Sequence, residues 1–394
     1  MSRRAVPAQN SKASVRYLET DVLTEAKRRI RLCFDTFDRV YVAFSGGKDS
    51  LVVLHLTREV QQEMGIPGPT RCLFFDEELI PSGVIEFVQS YQRDTENWDM
   101  LYLAVPMQSQ KYILGTSERY IQWDPARPWV RPKPENSIQS FHGFDGVIFN
   151  QHNLDTAVFN HIKERCVTLN GIRADESLIR YQSCINAKKE SWLGQSDSVR
   201  HLSRGKPIYD WSQHDVFKYF HERSIKYCPI YDEQLWARQA FRVATPLTPE
   251  GSKNLHKLKR RDPLFYDQLL SVFPEAAIQE RYWKEYDRRS DVIDKYPHTW
   301  GGILQMVEDK FHDEPDMKAM AIAVVHGARR RRVNKQREAA ESGSAMLDPF
   351  GGMPLLFVMK AIANGAINKG LQCTKTFSRE MYEYEGFPVP EGVR

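Results

Sequence analysis

The segment from Arg39 to Glu63 constrains this chain more than any other. Arg39 to Phe44 is a short β-branched and aromatic run, and Ser45-Gly46-Gly47 is a turn. Leu51 to Glu63 then repeats apolar residues at helical spacing until Gly65-Ile66-Pro67-Gly68-Pro69 stops it. The unit is strand, glycine turn, helix, stop, and its neighbours follow the same plan. An amphipathic helix from Tyr17 to Phe37 precedes it. A strand from Thr70 to Phe75 follows and ends in Asp76-Glu77-Glu78, Pro81 opens a helix reaching Tyr91, and a third strand covers Met100 to Val105. A further strand, Cys166 to Asn170, leads into Gly171-Ile172-Arg173-Ala174-Asp175-Glu176-Ser177. Strands alternating with helices at this spacing predict an α/β fold with a doubly wound, mainly parallel sheet, whose strand C-terminal ends gather on one edge where ligands bind.

Outside this pattern the chain is less regular. Residues 106 to 165 show no clean periodicity, and the stretch from Trp123 to Pro134 holds Pro125, Pro128, Pro132 and Pro134, which excludes helix and central strand. Arg127, Arg131 and Lys133 beside Trp123 and Trp129 either stack a base and hold an anion or form a packed loop. Ser212-Gln213-His214-Asp215 reads as a capping box opening a helix from Val216 to Glu222. After about residue 235 the pattern turns helical (Leu255 to Lys259, Leu264 to Phe273, Glu275 to Tyr286, Met317 to Arg332), with Ser342 to Pro354 as an internal loop. The expected organisation is a basic flexible N-terminus over 1–16, an α/β domain over 17–235 and a mainly helical C-terminal domain over 236–394.

Composition narrows the function classes. The 55 basic residues outnumber the 51 acidic ones only by four, too mild an excess to indicate nucleic-acid binding. Two local clusters remain candidates for it: Lys257, Lys259, Arg260 and Arg261, and Arg329-Arg330-Arg331-Arg332 with Lys335 and Arg337. Their alternative is a cationic helix end favoured by the macrodipole. The six cysteines form no C-x-x-C pair and follow no secretory leader, so a disulfide framework is not expected and a cytoplasmic location is. No apolar stretch approaches the roughly 20 residues that span a bilayer.

Ser45-Gly46-Gly47-Lys48-Asp49-Ser50 carries the chemistry. Two glycines let backbone N–H groups converge on one point, and the following helix adds its unsatisfied amides and positive dipole end. Anionic oxygens fit there. Ser45 and Ser50 can add hydroxyl donors, Lys48 a positive charge, and Asp49 a carboxylate that could hold Mg²⁺ or orient the loop. The spacing is not that of a Walker A loop, because Val42 and Asp49 stand where that motif needs Gly and Ser or Thr.

The hexapeptide resembles the S-G-G-x-D-S pyrophosphate loop (PP-loop) of the adenine-nucleotide α-hydrolase superfamily. Together with residues 171–177, Arg180, Pro207-Ile208-Tyr209-Asp210-Trp211 and Tyr227-Cys228-Pro229-Ile230-Tyr231-Asp232, it resembles the phosphoadenosine phosphosulfate (PAPS) reductase branch. The similarity covers roughly residues 20 to 235. The C-terminal extension is similar to an Ibr-type subgroup, named for an immunoglobulin-binding regulator and often encoded beside a ParB-like protein. The resemblance implies ATP or PAPS as ligand, with Mg²⁺, phosphates on residues 45–50 and adenosine near the end of the second strand. It further implies binding roles for Gly171, Arg173, Glu176 and Ser177, and catalytic roles for Lys48, Asp49, Arg173 and Arg180. Asp76 could face the ribose or a metal, or be a solvated acid after a buried strand. Arg173 and Arg180 suit sulfate or phosphate oxygens, with a surface ion pair to Glu176 as the alternative.

The chain departs from the branch in one respect. It lacks the C-terminal Glu-Cys-Gly motif that supplies the reductase thiolate; Cys373, near Lys375, is the nearest substitute and reads as an ordinary cysteine. Clustered cysteines for an iron–sulfur centre are missing as well. Two enzyme routes remain, with sulfur metabolism behind the second: cleavage of an ATP α–β bond by an adenylyltransferase, or use of a sulfonucleotide with a thiol from elsewhere. A nucleotide-binding co-regulator working with a ParB-like partner on DNA is the competing class.

Overall fold

The computed structural model describes residues 19–113, 116–176, 178–186, 189–236, 245–248, 251–286, 293, 295–341, 348–363, 367, 370–374 and 377–390. The chain forms two compact units. The first comprises the chain up to Ser109, Tyr120–Thr245 and Asp262–Val272; the second comprises Gln110–Arg119, Pro246–Arg261 and the chain from Phe273.

The first unit is built on a six-stranded sheet. Its strands are β1 (Arg39–Ala43), β2 (Thr70–Phe75), β3 (Trp98–Leu103), β6 (Cys166–Asn170), β9 (Leu193–Gln195) and β10 (Leu202–Gly205), in the order β3-β2-β1-β6-β10-β9. All neighbours are parallel except the β10–β9 pair. Val40, Tyr41 and Val42 of β1 are all buried, as a central strand covered on both faces requires. Val40 and Val42 join the core made with the helices α1 (Val22–Thr36), α2 (Lys48–Glu63), α3 (Ser82–Arg93) and α6 (Gln213–Arg223). Tyr41 joins the opposite core, with Val158 and Phe159 of α4 (Gln151–Phe159). The sheet is therefore doubly wound, as expected.

Winding proceeds outward from β1 through β2 to β3, then returns to the other side of β1 with β6. The strand order reverses between β1 and β6, and open α/β sheets bind ligands in the crevice at such a reversal. The paired registers Ala43↔Asn170 and Ala43↔Leu73 bring the C-terminal ends of β1, β2 and β6 side by side. One buried ion pair anchors the helical layer here. Arg29 of α1, 1% exposed, meets both carboxylate oxygens of Asp210 at 2.9 and 2.8 Å, donates to the Pro207 carbonyl, and lies over the Tyr209 ring.

Several expectations need correction. Helix α1 starts at Val22, capped by Asp21, and not at Tyr17, which lies outside the described residues. Helix α2 starts at Lys48, three residues before the apolar repeat, so Lys48, Asp49 and Ser50 form its first turn. The stretch 106–165 contains the hairpin strands β4 (Met107–Ile113) and β5 (Thr116–Gln122) and helix α4. Ser212 and Asp215 do form a reciprocal capping box, on α6.

Beyond β6 come α5 (Leu178–Cys184), a two-residue ladder of β7 (Ile185–Asn186) and β8 (Lys189–Glu190), and, after α6, α7 (Ile230–Trp236). Then follow α8 (Leu255–Arg261), α9 (Pro263–Val272), α10 (Glu275–Tyr286), α11 (Trp300–Lys310), α12 (Pro315–Glu341), α13 (Leu355–Ala363) and α14 (Arg379–Glu385). The second unit packs Ile303, Met306, Val325, Leu356 and Met359 of α11, α12 and α13 into its own core. No helix among the described residues is long and apolar enough to cross a membrane.

Candidate active site

The loop Ser45–Gly47 leaves β1 and feeds directly into the N-terminus of α2. Gly46 adopts φ +72°, and a Cβ there would meet Val88 Cγ2 at 2.8 Å and Val84 Cγ1 at 3.1 Å, so only glycine fits both the dihedral and the space. The loop is bound to itself. Ser45 N–H donates to Ser50 Oγ (3.1 Å), the two serine hydroxyls lie 3.0 Å apart, and Ser50 Oγ donates to the Gly47 carbonyl (2.9 Å). The Lys48 amide, at the start of α2, donates to the Tyr231 hydroxyl of α7 at 2.9 Å. Burial pushes the Tyr231 phenol well above its ordinary range, so it stays a neutral hydroxyl at that amide.

A second backbone closes the loop from the β6 side. A Cβ on Gly171 would lie 2.5 Å from both the Asp49 carbonyl carbon and the Ser50 nitrogen. The chain leaving β6 thus touches the first turn of α2 main chain to main chain. Electrostatics reinforce that contact. Asp49 receives Lys48 Nζ on Oδ2 and Arg173 Nε on Oδ1, each at 2.6 Å, while Arg173 also reaches both oxygens of Asp175 at 2.7 Å. The Arg173 N–H donates to Glu176 Oε2 at 3.2 Å, and Arg180 pairs with that same carboxylate one helical turn on.

These elements surround a cavity of about 370 Å³ at the sheet reversal. Its polar end is Ser45, Gly47, Lys48, Asp49, Ser50, Glu176 and Arg180; Asn170 and Gly171 form the β6 side. Phe74, Leu79, Ile80 and Pro81, at and beyond the end of β2, make an apolar wall, and Glu77 and Thr245 complete the lining. Amides and cations of this lining can hold anionic oxygens, and the apolar wall can hold a ring, so the lining offers both kinds of surface that a nucleotide needs.

The sequence candidates fall into four groups. Ser45, Gly47, Lys48, Asp49, Ser50, Gly171, Glu176 and Arg180 line the cavity, and Gly46 shapes the turn beneath it. Arg173 stands behind this lining, its guanidinium engaged by Asp49 and Asp175, so its place is that of a brace for the loop and not of a group facing the ligand. Ser177 lies outside the described residues. Asp76 is displaced from the expected position: it is 0% exposed, accepts from the Tyr102 hydroxyl at 2.8 Å and pairs with Arg131. The acid that lines the cavity is its neighbour Glu77.

The proline-rich loop explains that displacement. Glu78, also 0% exposed and held at φ +62°, accepts from both terminal nitrogens of Arg127 (2.8 and 2.7 Å) and from the amides of Trp123 (2.6 Å) and Val130 (3.0 Å). Arg127 and Arg131 are thereby committed to Glu78 and Asp76, which is the packed-loop alternative of the two that the sequence offers. Lys133 lies over Trp129 at 4.6 Å and Trp123 at 5.4 Å.

The site also bears on Mg²⁺. Both oxygens of Asp49 are taken by cations, and no group of three or more acids, histidines or cysteines among the described residues could cage a metal. The residues present do not fit a protein-held Mg²⁺, and no step proposed below runs through one.

Two outcomes follow. Gly171→Ala forces a methyl group into the α2 backbone and should destabilise the first unit by about 1–3 kcal/mol, read as a lower urea midpoint; an unchanged midpoint would contradict the close contact. Glu77 gives a pH test. Burial, with a smaller contribution from Asp76, raises its carboxyl above the ordinary value against the opposing Thr245 hydroxyl. The folded state therefore holds this proton more tightly than the unfolded state, so stability falls as pH rises from the unfolded carboxyl range through the folded value. Urea unfolding between about pH 4 and 8 should show Glu77→Gln gaining on the wild type across that window. A gap that stays constant with pH would contradict the shift.

Comparison with known proteins identifies the family. Residues 39–269 match the phosphoadenosine phosphosulfate reductase domain. The uncharacterized protein YbdN of Escherichia coli (strain K12) is 29% identical over 252 residues, covering 60% of this chain and 62% of YbdN, so the chain spans less than two thirds of that relative. Similar solved structures include the PAPS reductase of Candida auris in a phosphate complex (15% identity, 53% of this chain and 84% of that one, TM-score 0.30). Another is the FMN adenylyltransferase of Candida glabrata with FAD and inorganic pyrophosphate (12% identity, 53% and 59%, TM-score 0.35). The domain match extends over more than half of the residues, and the chain belongs to the phosphoadenosine phosphosulfate reductase domain family.

Proposed function

We propose that this chain binds an adenine nucleotide across the ends of β1, β2 and β6 and cleaves its α–β bond to adenylylate an acceptor. The observation that carries this reading is the α2 N-terminus opening, through a glycine turn, onto a cavity that also has an apolar wall. A helix start of this kind presents positive partial charge and first-turn amides to phosphate oxygens, although the Lys48 amide is already engaged by Tyr231.

The chemistry is one displacement. An acceptor oxygen attacks the α-phosphorus, a new O–P bond forms, and the bond from that phosphorus to the bridging oxygen breaks. Pyrophosphate leaves with the electron pair, and the acceptor's proton passes to solvent. The loop amides, the two serine hydroxyls and Lys48 lie where negative charge grows on the departing group. Arg173 keeps Asp49 and the first turn of α2 in register. Reduction of a sulfonucleotide would instead need a thiolate, and no described residue lining the cavity is a cysteine. Five of the six cysteines are buried, and Cys373 belongs to the second unit.

Lys48→Ala removes a charge-assisted contact worth about 1.5–3 kcal/mol, an affinity loss of roughly 10- to 150-fold for α,β-methylene ATP by calorimetry. An unchanged affinity would reject the role. ATP incubated with the full chain and a panel of carboxylate, phosphomonoester and hydroxyl acceptors should yield pyrophosphate. Sulfite release from a sulfonucleotide and a dithiol, with no pyrophosphate, would assign the reductase route instead.

A second reading has one observation in its favour. Arg329, Arg330 and Arg331 are exposed on α12 with no acidic partner among the described residues, whereas Arg332 is paired with Glu385 and Lys259 with Glu280. This suits a regulator that touches nucleic acid, with a ParB-like protein as its expected partner. Such binding must weaken steeply as salt rises; flat salt dependence would eliminate it.

A further inference from the structure

We propose that Glu77 sets the nucleotide class: the cavity accepts an adenine nucleotide whose ribose hydroxyls are both free and rejects one that carries a 3′-phosphate. The inference deepens the nucleotide reading above and rests on it.

Three consecutive acids end β2, and their fates differ. Asp76 and Glu78 turn inward and are each neutralised by an arginine, Arg131 and Arg127. Glu77 turns the other way, into the cavity. It accepts from the Thr245 hydroxyl, and it takes part in no ion pair among the described residues. Of the cations at this corner, Arg127 and Arg131 are both aimed at the acids that do not face the ligand.

The position of Glu77 decides which part of a nucleotide it meets. The Phe44 N–H donates to the Leu73 carbonyl at 2.8 Å, so the phosphate loop after β1 and the acid after β2 stand on adjacent strands, about 5 Å apart by strand spacing. Phe74, Leu79, Ile80 and Pro81 flank the acid and form the apolar wall. With phosphates on the loop and the base on that wall, the ribose is the part beside Glu77. A carboxylate accepts hydrogen bonds from two vicinal hydroxyls. A phosphate ester at the same place would bring like charge beside a carboxylate that pairs with no cation among the described residues, and like-charge juxtaposition disfavours binding strongly. The same logic separates ribose hydroxyl from ribose phosphate in dinucleotide folds, where an acid takes the hydroxyl and an arginine the phosphate.

The test uses two ligands that differ only in the 3′-phosphate, adenosine 5′-phosphosulfate and its 3′-phosphorylated form, titrated calorimetrically into the full chain at the alkaline end of the window in which Glu77 titrates, where it is ionised. The wild type should bind the 3′-phosphorylated ligand about tenfold or more weakly than the other, and Glu77→Gln should narrow the gap to about threefold or less. Raising the salt concentration should narrow the wild-type gap too, a readout that needs no variant. Equal or tighter binding of the 3′-phosphorylated form by the wild type, or a gap that survives in Glu77→Gln, overturns the proposal. α,β-Methylene ATP separates the two levels of the account. If it binds while the discrimination is missing, only the role of Glu77 fails; if neither it nor either sulfonucleotide binds, the nucleotide reading fails and takes this proposal with it.

Discussion

The first turn of α2 is held from three directions, and the arrangement of the site depends on that grip. Gly171 brings the chain leaving β6 against the Asp49 and Ser50 backbone, where even a methyl group would collide. Arg173 grips the Asp49 carboxylate, and Tyr231 caps the Lys48 amide from α7. A loop with two adjacent glycines is costly to order in isolation, because glycine loses the most backbone freedom on folding. Here the surrounding elements supply the order in advance. A phosphate would meet amides already aimed, so little further ordering would be charged against binding.

The same corner shows how a distant segment can assign chemistry to a local one. Asp76, Glu77 and Glu78 are chemically alike, yet the proline-rich loop selects two of them. Arg127 and Arg131 lie 49 and 55 residues beyond their partners, and the loop carrying them is fixed by the buried Trp123, whose indole N–H donates to the Asp76 carbonyl at 2.6 Å. Glu78 and Trp123 both sit at positive φ without being glycine, a backbone cost sustained by the buried hydrogen bonds they make. Breaking either buried pair on one side would leave an uncompensated charge in the interior, the most destabilising way to disturb such a network.

Much of the fold was legible because its signals are local. The runs Thr70–Phe75 and Cys166–Asn170 are mostly apolar, with β-branched and aromatic members, and form strands with those bounds. The capping box at Ser212 needs only four residues to be recognised. The hairpin after β3 was not legible, because Met107-Gln108-Ser109-Gln110-Lys111 offers no apolar alternation. Helix α11, absent from the expected helical segments, carries Gly301 and Gly302 in its first turn, and Gly302 lies where that turn packs on the Pro297 backbone. In the site, the Ser45–Ser50 loop announced itself by composition. The choice between Asp76 and Glu77 did not: alternation along extended backbone says only that 76 and 78 share a side, and the arginines that decide which side faces inward come from far along the chain. Tyr231 lay inside a quoted motif, but nothing local marks a hydroxyl as the cap of another helix.

The central claim is that the amides of residues 46–50 form a phosphate-binding cup at the sheet reversal. Backbone amide NMR of the full chain, with glycine, lysine and serine labelled selectively, tests it most directly during titration with α,β-methylene ATP. The account predicts saturable shifts at Gly46, Gly47, Lys48 and Ser50 that share one dissociation constant. Saturable binding that leaves those amides unmoved and shifts others would contradict it.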